Sequence, residues 1–280
     1  MSVFRTNRLA TTCQVITAFN EIRPEDDIID GMRHWLLIEK QAQNWDNRTA
    51  NIYIVNAMLT SGSSWDKETT LPEISIAGQT IERSDLQRLT GSCKVNINLS
   101  EMKDNKVEIS RYSNSPAWGG IICQYIAPME SVEADAIPDL SVSKEFLKLE
   151  DNNGEIVAVP CNEFHTGDKV RINLIIDCGR EMDYVVINDE RAACVEPIAQ
   201  LSGYTVIDGI WCYRELRNNA VNLYIPTLPK GRHVISYDCM INEEGTFASG
   251  ISSMQSLYAP VLNAHSAGNI LKAVKKSTSK

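Results

Sequence analysis

Apolar positions recur at helical spacing through residues 1 to 60 and at a period of two further on, so the chain predicts a short α-region followed by a long β-region. Leu9, Cys13, Ile16 and Phe19 predict a first helix. A second begins at Pro24, whose ring suits the first turn, with Glu25, Asp26 and Asp27 complementing the helix dipole. Ile28, Met32, Trp35 and Leu36 form its stripe, which runs on to Gln43. A third, Thr49 to Leu59, puts Ile52, Val55, Met58 and Leu59 on one face. Three amphipathic helices make a thin body, so their apolar faces must meet each other or the β-region.

Ser61-Gly62-Ser63-Ser64 breaks the pattern. Short strands then follow at 74–77, 93–99 and 107–110, and the apolar run Trp118 to Tyr125 predicts a central strand. Residues 129–141 are acidic, contain proline and lack periodicity, which predicts a linker. From Leu140 to His265 the strands are more numerous. Val142, Glu145, Leu147 and Leu149 open this unit; 155–160, Val170 to Ile176, 184–187, 210–214 and 220–225 follow, separated by Gly- and Asn-rich turns. In the last long stretch His233, Ile235, Tyr237, Cys239 and Ile241 alternate with Val234, Ser236, Asp238 and Met240. A turn at Asn242 to Gly245 and a second, interrupted strand from Thr246 to Tyr258 predict a hairpin, ended by Pro260. Seven or more strands with no helical pattern between them predict a β-sandwich.

Composition excludes several classes. With 43% hydrophobic and 22% charged residues this is the make-up of a globule, and no apolar run approaches the ~20 residues of a membrane span. The start, MSVFRTNRLATT, has no leader pattern. Net charge is −9 and no basic cluster is interleaved with aromatics, which argues against a nucleic-acid partner. The cationic run from Lys272 to Lys280 predicts a flexible tail. Eight cysteines are scattered with no Cys-x-x-Cys pair, so zinc is unsupported and reduced core thiols are expected.

Candidate chemistry is sparse. No phosphate-binding loop, nucleophile elbow or zinc-protease helix is present. His34, His165, His233 and His265 have no partners at metal-ligand spacing, and no cysteine has an evident base. Asp183, Asp189 and Glu190 beside Arg191 could be paired carboxylates for hydrolysis, but a charge cluster on a strand and turn is the commoner meaning of such a pattern. We therefore expect no catalytic residue, no cofactor and no metal.

Three stretches, GDKVRINLIIDCGREMDYVVINDERAACVEP, LSGYTVIDGIWCYRE and LPKGRHVISYDCMINEEGTFASGISSMQSLYAP, resemble the C-terminal domain of bacterial alpha-2-macroglobulins, particularly the Bacteroidetes type. Asp183-Tyr184-Val185, Asp189-x-Arg191, Gly245-x-Phe247 and Gln255-x-x-Tyr258-Ala259-Pro260 carry the likeness. Trp35 to Trp45 with the helix through Leu59 looks like the last repeat of that family's α/α-toroid, and Pro116-Ala-Trp-Gly119 with Gln124-Tyr125 like the strand leaving it. The resemblance implies a mainly β chain: a partial toroid over 1–61, a β-segment over 62–130, an immunoglobulin-like macroglobulin sandwich over 140–266 and a flexible basic tail over 267–280.

It also implies a role in a large protease trap, in which a cut bait region triggers enclosure of the attacker, or covalent capture where a Cys-x-Glu-Gln thioester exists. The partners implied are upstream domains of the same protein and host or competitor proteases, in the periplasm or cell envelope. This sequence has no Cys-x-Glu-Gln and no bait segment, which predicts a C-terminal fragment that is not an enzyme. Met254 and Tyr258 are the expected domain-contact residues. An alternative from another class is a free-standing adhesion or glycan-binding sandwich, for which Trp211, Tyr213 and Tyr224 would form the platform. A hydrolase using the carboxylates around Asp189 is a third.

Overall fold

The computed structural model describes residues 8–42, 48–62, 73–76, 78–80, 94, 96–98, 100, 102, 104, 106–110, 120–161 and 163–276. The chain divides into two units, Met1–Leu37 with Asn47–Gly119 and Ile38–Asp46 with Gly120–Lys280.

The first unit holds the helices α1 (Arg8–Ile22), α2 (Ile28–Ala42, the last residues of which fall in the second unit) and α3 (Arg48–Thr60). The start of α2 lies later than Pro24 because the Asp26 carboxylate accepts the Ile28 amide and caps the helix there. α1 buries Cys13 and Ile16, and α2 buries Ile29, Arg33 and Leu36. Arg33 donates to Asp30 at 2.8 Å and to the Met58 carbonyl at 3.0 Å, so its guanidinium closes the end of α3 from inside. α3 turns a different face inward from the one expected. It buries Ala50, Ile54, Ala57 and Met58 and exposes Ile52, Val55 and Leu59. Alanines let the helices approach closely, and apolar spacing alone could not say which of two stripes would be used. Three short strands, β1 (Glu73–Ile76), β2 (Gln79–Thr80) and β3 (Val107–Ser110), form a small antiparallel sheet ordered β2-β1-β3.

Two further expectations change here. Of the strand expected over 93–99, residues 94 and 96–98 carry no ladder and the remainder lies outside the described residues. Trp118 and Gly119 also lie outside them, while 120–125 form no strand and expose Ile121, Ile122 and Tyr125. An apolar run without alternation marks surface that could be buried, and does not by itself specify a ladder partner.

The second unit contains β4 (Leu140–Asn152), β5 (Glu155–Pro160), β6 (Glu163–His165), β7 (Lys169–Cys178), β8 (Met182–Glu190), β9 (Val195–Pro197), β10 (Gly203–Ile207), β11 (Ile210–Leu216), β12 (Ala220–Leu228), β13 (Gly231–Ile241), β14 (Gly245–Ala248), β15 (Ser252–Ser256), β16 (Asn263–His265) and β17 (Ile270–Val274). One sheet is ordered β10-β11-β12-β8-β15-β16, a second β5-β4-β7-β13-β9 and a small third β14-β17-β6. Alternation explains the core. Val170, Ile172, Leu174 and Ile176 of β7 and Ile235, Tyr237 and Cys239 of β13 face Val185, Ile187, Cys212, Leu223, Ile225 and Met254 of the six-stranded sheet in one buried cluster. This is a mainly β unit of sandwich type.

The predicted hairpin is not formed. β13 pairs with β7 on one edge and β9 on the other, so it has no free edge for β14. The chain after Asn242 crosses to the small sheet, where β14 pairs with β17, and then to the large one, where β15 pairs with β8 and β16. The expected tail is also part of the fold. Residues 270–274 are a central strand, antiparallel to β14 and parallel to β6, and residues 277–280 lie outside the described residues. Nor is 129–141 a bare linker. Met129–Ser131 is a 3₁₀ turn, Asp135 bridges to His265, and the Gly268 amide bonds the Val132 carbonyl.

Candidate functional site

The second unit presents two groups of residues that call for a chemical explanation, an aromatic surface and a buried ion pair. Asp208 and Gly209 have φ values of 51° and 73°, the handedness a two-residue hairpin turn requires, and they join β10 to β11. That register points Ile210 and Cys212 into the core and Trp211 and Tyr213 outward, with Val206 opposite Trp211, Tyr204 opposite Tyr213, and Tyr224 beyond. Tyr204 and Trp211 stack with centroids 4.7 Å apart and planes 6° from parallel. Tyr213 meets Tyr204 edge-on at 5.1 Å and Tyr224 at 6.3 Å. Trp211 is 52% exposed and Tyr204 68%, so the rings form an open surface.

A polar ladder borders them. Glu215 accepts from Asn222 Nδ2 at 2.9 Å and from the Tyr224 hydroxyl at 3.0 Å, and Asn188 Nδ2 donates to Asn222 Oδ1 at 2.6 Å. The Asn222 hydrogen bond, more than any other contact, holds the Glu215 carboxyl below the usual glutamate range. The hydrogen bond that Tyr224 itself donates to Glu215 pushes its phenol up. Of the rings on this surface, Trp211, Tyr213 and Tyr224 are the ones the sequence singles out. Tyr204 is not among them, because only the hairpin register brings β10 beside β11.

Met254 and Tyr258 separate in the structure. Met254 lies in the core of β15, opposite Ile187 and Ala264. Tyr258 lies beyond the strand, 73% exposed, with its ring edge-on to Tyr184 at 5.0 Å. Tyr184 holds a positive φ of 54°, uncommon for an aromatic residue, and this turns its ring outward from β8.

The second group is buried. Lys144 of β4 and Asp189 of β8 form an ion pair at 2.7 Å, and neither side chain is exposed. The Tyr237 hydroxyl of β13 donates to Asp189 Oδ2, and the Ser252 hydroxyl of β15 to Oδ1. Lys144 Nζ also donates to the carbonyls of Glu190 and Ser249 and lies 5.3 Å from the Phe146 ring. Burial, reinforced by the neighbouring Asp189, raises the Tyr237 phenol well above its ordinary range.

The hydrolase expectation does not survive this geometry. Asp189 is sealed inside rather than set on an open corner, Asp183 bonds Thr227 at the other end of β8, and the Arg191 guanidinium caps the carbonyls of Arg217, Asn218 and Ala220. Lys144 is absent from the sequence reading, because the residues that open β4 there, Val142, Glu145, Leu147 and Leu149, do not keep one alternation and so fix no inward face. The even positions, Leu140, Val142 and Lys144, face the core.

The histidines are dispersed. His34 is exposed on α2, His165 faces Asp168 at 3.6 Å, His233 bonds the Pro229 carbonyl, and His265 lies beside the Ser266 carbonyl. Among the described residues, no three His, Cys, Asp or Glu side chains gather as metal ligands would. Cys178, Cys194, Cys212 and Cys239 are buried free thiols, and burial pushes Cys239 up to about 12.

Residues 140–260 match the Bacterial Alpha-2-macroglobulin MG10 domain. No curated protein matches the chain. Among solved structures, methylamine-reacted alpha-2-macroglobulin from Salmonella aligns at 13% identity and a TM-score of 0.42, over 98% of this chain and 18% of that one. Trypsin-activated alpha-2-macroglobulin from Escherichia coli aligns at 13% identity and a TM-score of 0.47, over 96% and 19%. The chain thus spans less than a fifth of the length of either relative.

Proposed function

We propose, because residues 140–260 match the bacterial alpha-2-macroglobulin MG10 domain, that this chain supplies the C-terminal part of a macroglobulin-like protease inhibitor. The family match over the unit that holds both candidate sites is the observation that carries this reading. In it, the chain is not an enzyme. It works by contact between domains, with the helices of residues 1–61 as the end of an α/α-toroid and residues 140–266 as an immunoglobulin-like sandwich, in a periplasmic or envelope protein. Of the two expected contact residues, exposed Tyr258 is free to meet another domain, while Met254 acts from the core by holding β15 in place.

The test is to express the chain together with whatever sequence lies upstream in frame, add trypsin or elastase, and follow two substrates. Enclosure predicts that cleavage of a large protein falls while cleavage of a small peptide persists, since only the large substrate is kept out. Equal cleavage of both, with and without the inhibitor, would reject the proposal.

The exposed, stacked pair Tyr204–Trp211 favours a second reading, a glycan-binding face. Sugar rings stack on flat aromatic surfaces, and the Glu215–Asn222–Asn188 ladder offers hydroxyl partners beside them. Quenching or shift of Trp211 fluorescence by oligosaccharides, lost in Trp211→Ala, would support it. No response across neutral, acidic and amino sugars would remove it.

A further inference from the structure

We propose that Lys144 and Asp189 condense into an intramolecular isopeptide bond that ties the two large sheets together. The proposal rests on the interior geometry and not on the macroglobulin reading. The two side chains come from opposite sheets, β4 and β8, and meet at 2.7 Å with no exposure on either. Removing two charges from water costs several kcal/mol per ion, and an ion pair recovers that cost only in part. A neutral amide at the same place carries no such cost. The surroundings also suit the reaction. Both carboxylate oxygens accept from neutral hydroxyls, those of Tyr237 and Ser252, and the amine is flanked by carbonyls and by the Phe146 ring.

The step balances without any added reagent. Nζ passes one proton to Asp189 Oδ1 along their contact, and the freed amine lone pair attacks Cγ. Tyr237, donating to Oδ2, draws charge onto that oxygen as the tetrahedral centre forms. A second proton moves from Nζ to Oδ1, the Cγ–Oδ1 bond breaks, and Oδ1 leaves as water. The N–Cγ bond remains as an amide whose oxygen is Oδ2, still held by Tyr237. Nothing is oxidised or reduced.

The measurement is the intact mass of the folded, full chain after denaturation, followed by peptide mapping. The expected result is a mass lower by one water than the sequence requires, with a branched peptide joining Lys144 to Asp189. Lys144→Arg and Asp189→Ala should carry their full sequence masses, and Tyr237→Phe should leave a larger unlinked fraction at equal times. A folded wild-type protein that keeps its full mass through prolonged incubation overturns the proposal. So does a water loss that maps to a succinimide at Asp208-Gly209, which mild base would reopen while an isopeptide would persist.

Discussion

Asp189 shows how much one residue can determine when it is sealed from water. Its carboxylate organises groups from three other strands, Lys144, Tyr237 and Ser252. Asp189→Ala leaves a lysine inside with no counter-charge, and relative to wild-type chain in which the pair is still unlinked we expect it to lower stability by about 3–5 kcal/mol in urea titrations. Tyr237→Phe leaves the Asp189 oxygen Oδ2 without its donor, in the ion pair and in the amide alike, and should lower it by about 1–3 kcal/mol. A change of under half a kcal/mol in both would mean that water reaches the site.

Thiol chemistry provides a second check at this scale. Exposed Cys123 should be alkylated by iodoacetamide in the native protein, whereas Cys239, buried and pushed up to about 12, should react only on unfolding. Mass mapping of labelled peptides reads this directly. The sequence suggested the buried thiols from their strand positions, and it flagged Asp189 as a charge. It could not show that the charge faces inward, because that depends on a lysine forty-five positions earlier (189 − 144) whose facing on β4 the mixed spacing of Val142, Glu145, Leu147 and Leu149 leaves open. With a side-chain period of two, a slip of one exchanges inside for outside.

At the scale of elements, alternation was the dependable signal and partner choice was not. β7 and β13 were legible because one buried face requires an in-out pattern, whereas for β8, β11 and β12 the sequence marked the segments and left the inward row open. The β13–β14 hairpin was inferred from proximity in the chain and a well-placed glycine, while the actual partners of β13 are distant in sequence. β17 was hidden by its lysines, which read as a tail. In the structure Leu271 and Ala273 face inward while Lys272 points out to Glu163 at 2.6 Å.

That contact makes a pH prediction. The hydrogen bond from Lys272, more than any other influence, lowers the Glu163 pKa below its ordinary 4.5. A depressed carboxylate contributes stability that is present above the ordinary value and lost as pH falls through the folded one. Carboxyl NMR should therefore find Glu163 titrating below 4.5, and Lys272→Met should move it back upward. An unchanged midpoint in the variant would show that the side chains do not pair in solution.

For the molecule as a whole, the two units differ in kind. Apart from Ala42 of α2, the second draws its cluster of buried apolar residues from β4 to β17, so a fragment of residues 120–280 should fold without the helices. We expect it to unfold cooperatively, with a midpoint near the principal transition of the full chain. A fragment lacking dispersed amide NMR signals would show instead that the β-unit depends on the rest. This sandwich-type unit was foreseen from strand count and spacing. The small sheet of residues 73–110 was foreseen only in outline, since its short strands carry little periodicity to read.

The pairing of β13 with β7 also has a consequence in time. On the edge away from β4, Val170 waits for Cys239 and Ile176 for His233, so one edge of an apolar central strand stays open until much later chain arrives. Loop closure must come before the contacts that reward it, which makes such topologies slow to form and exposes sticky edges along the way. During synthesis, β7 can pair with β4 as soon as it emerges, yet its other edge stays bare while β8 to β12 are still being made. The interval between β7 and β13 is therefore when a growing chain is most vulnerable to aggregation, and when a holding chaperone would matter most.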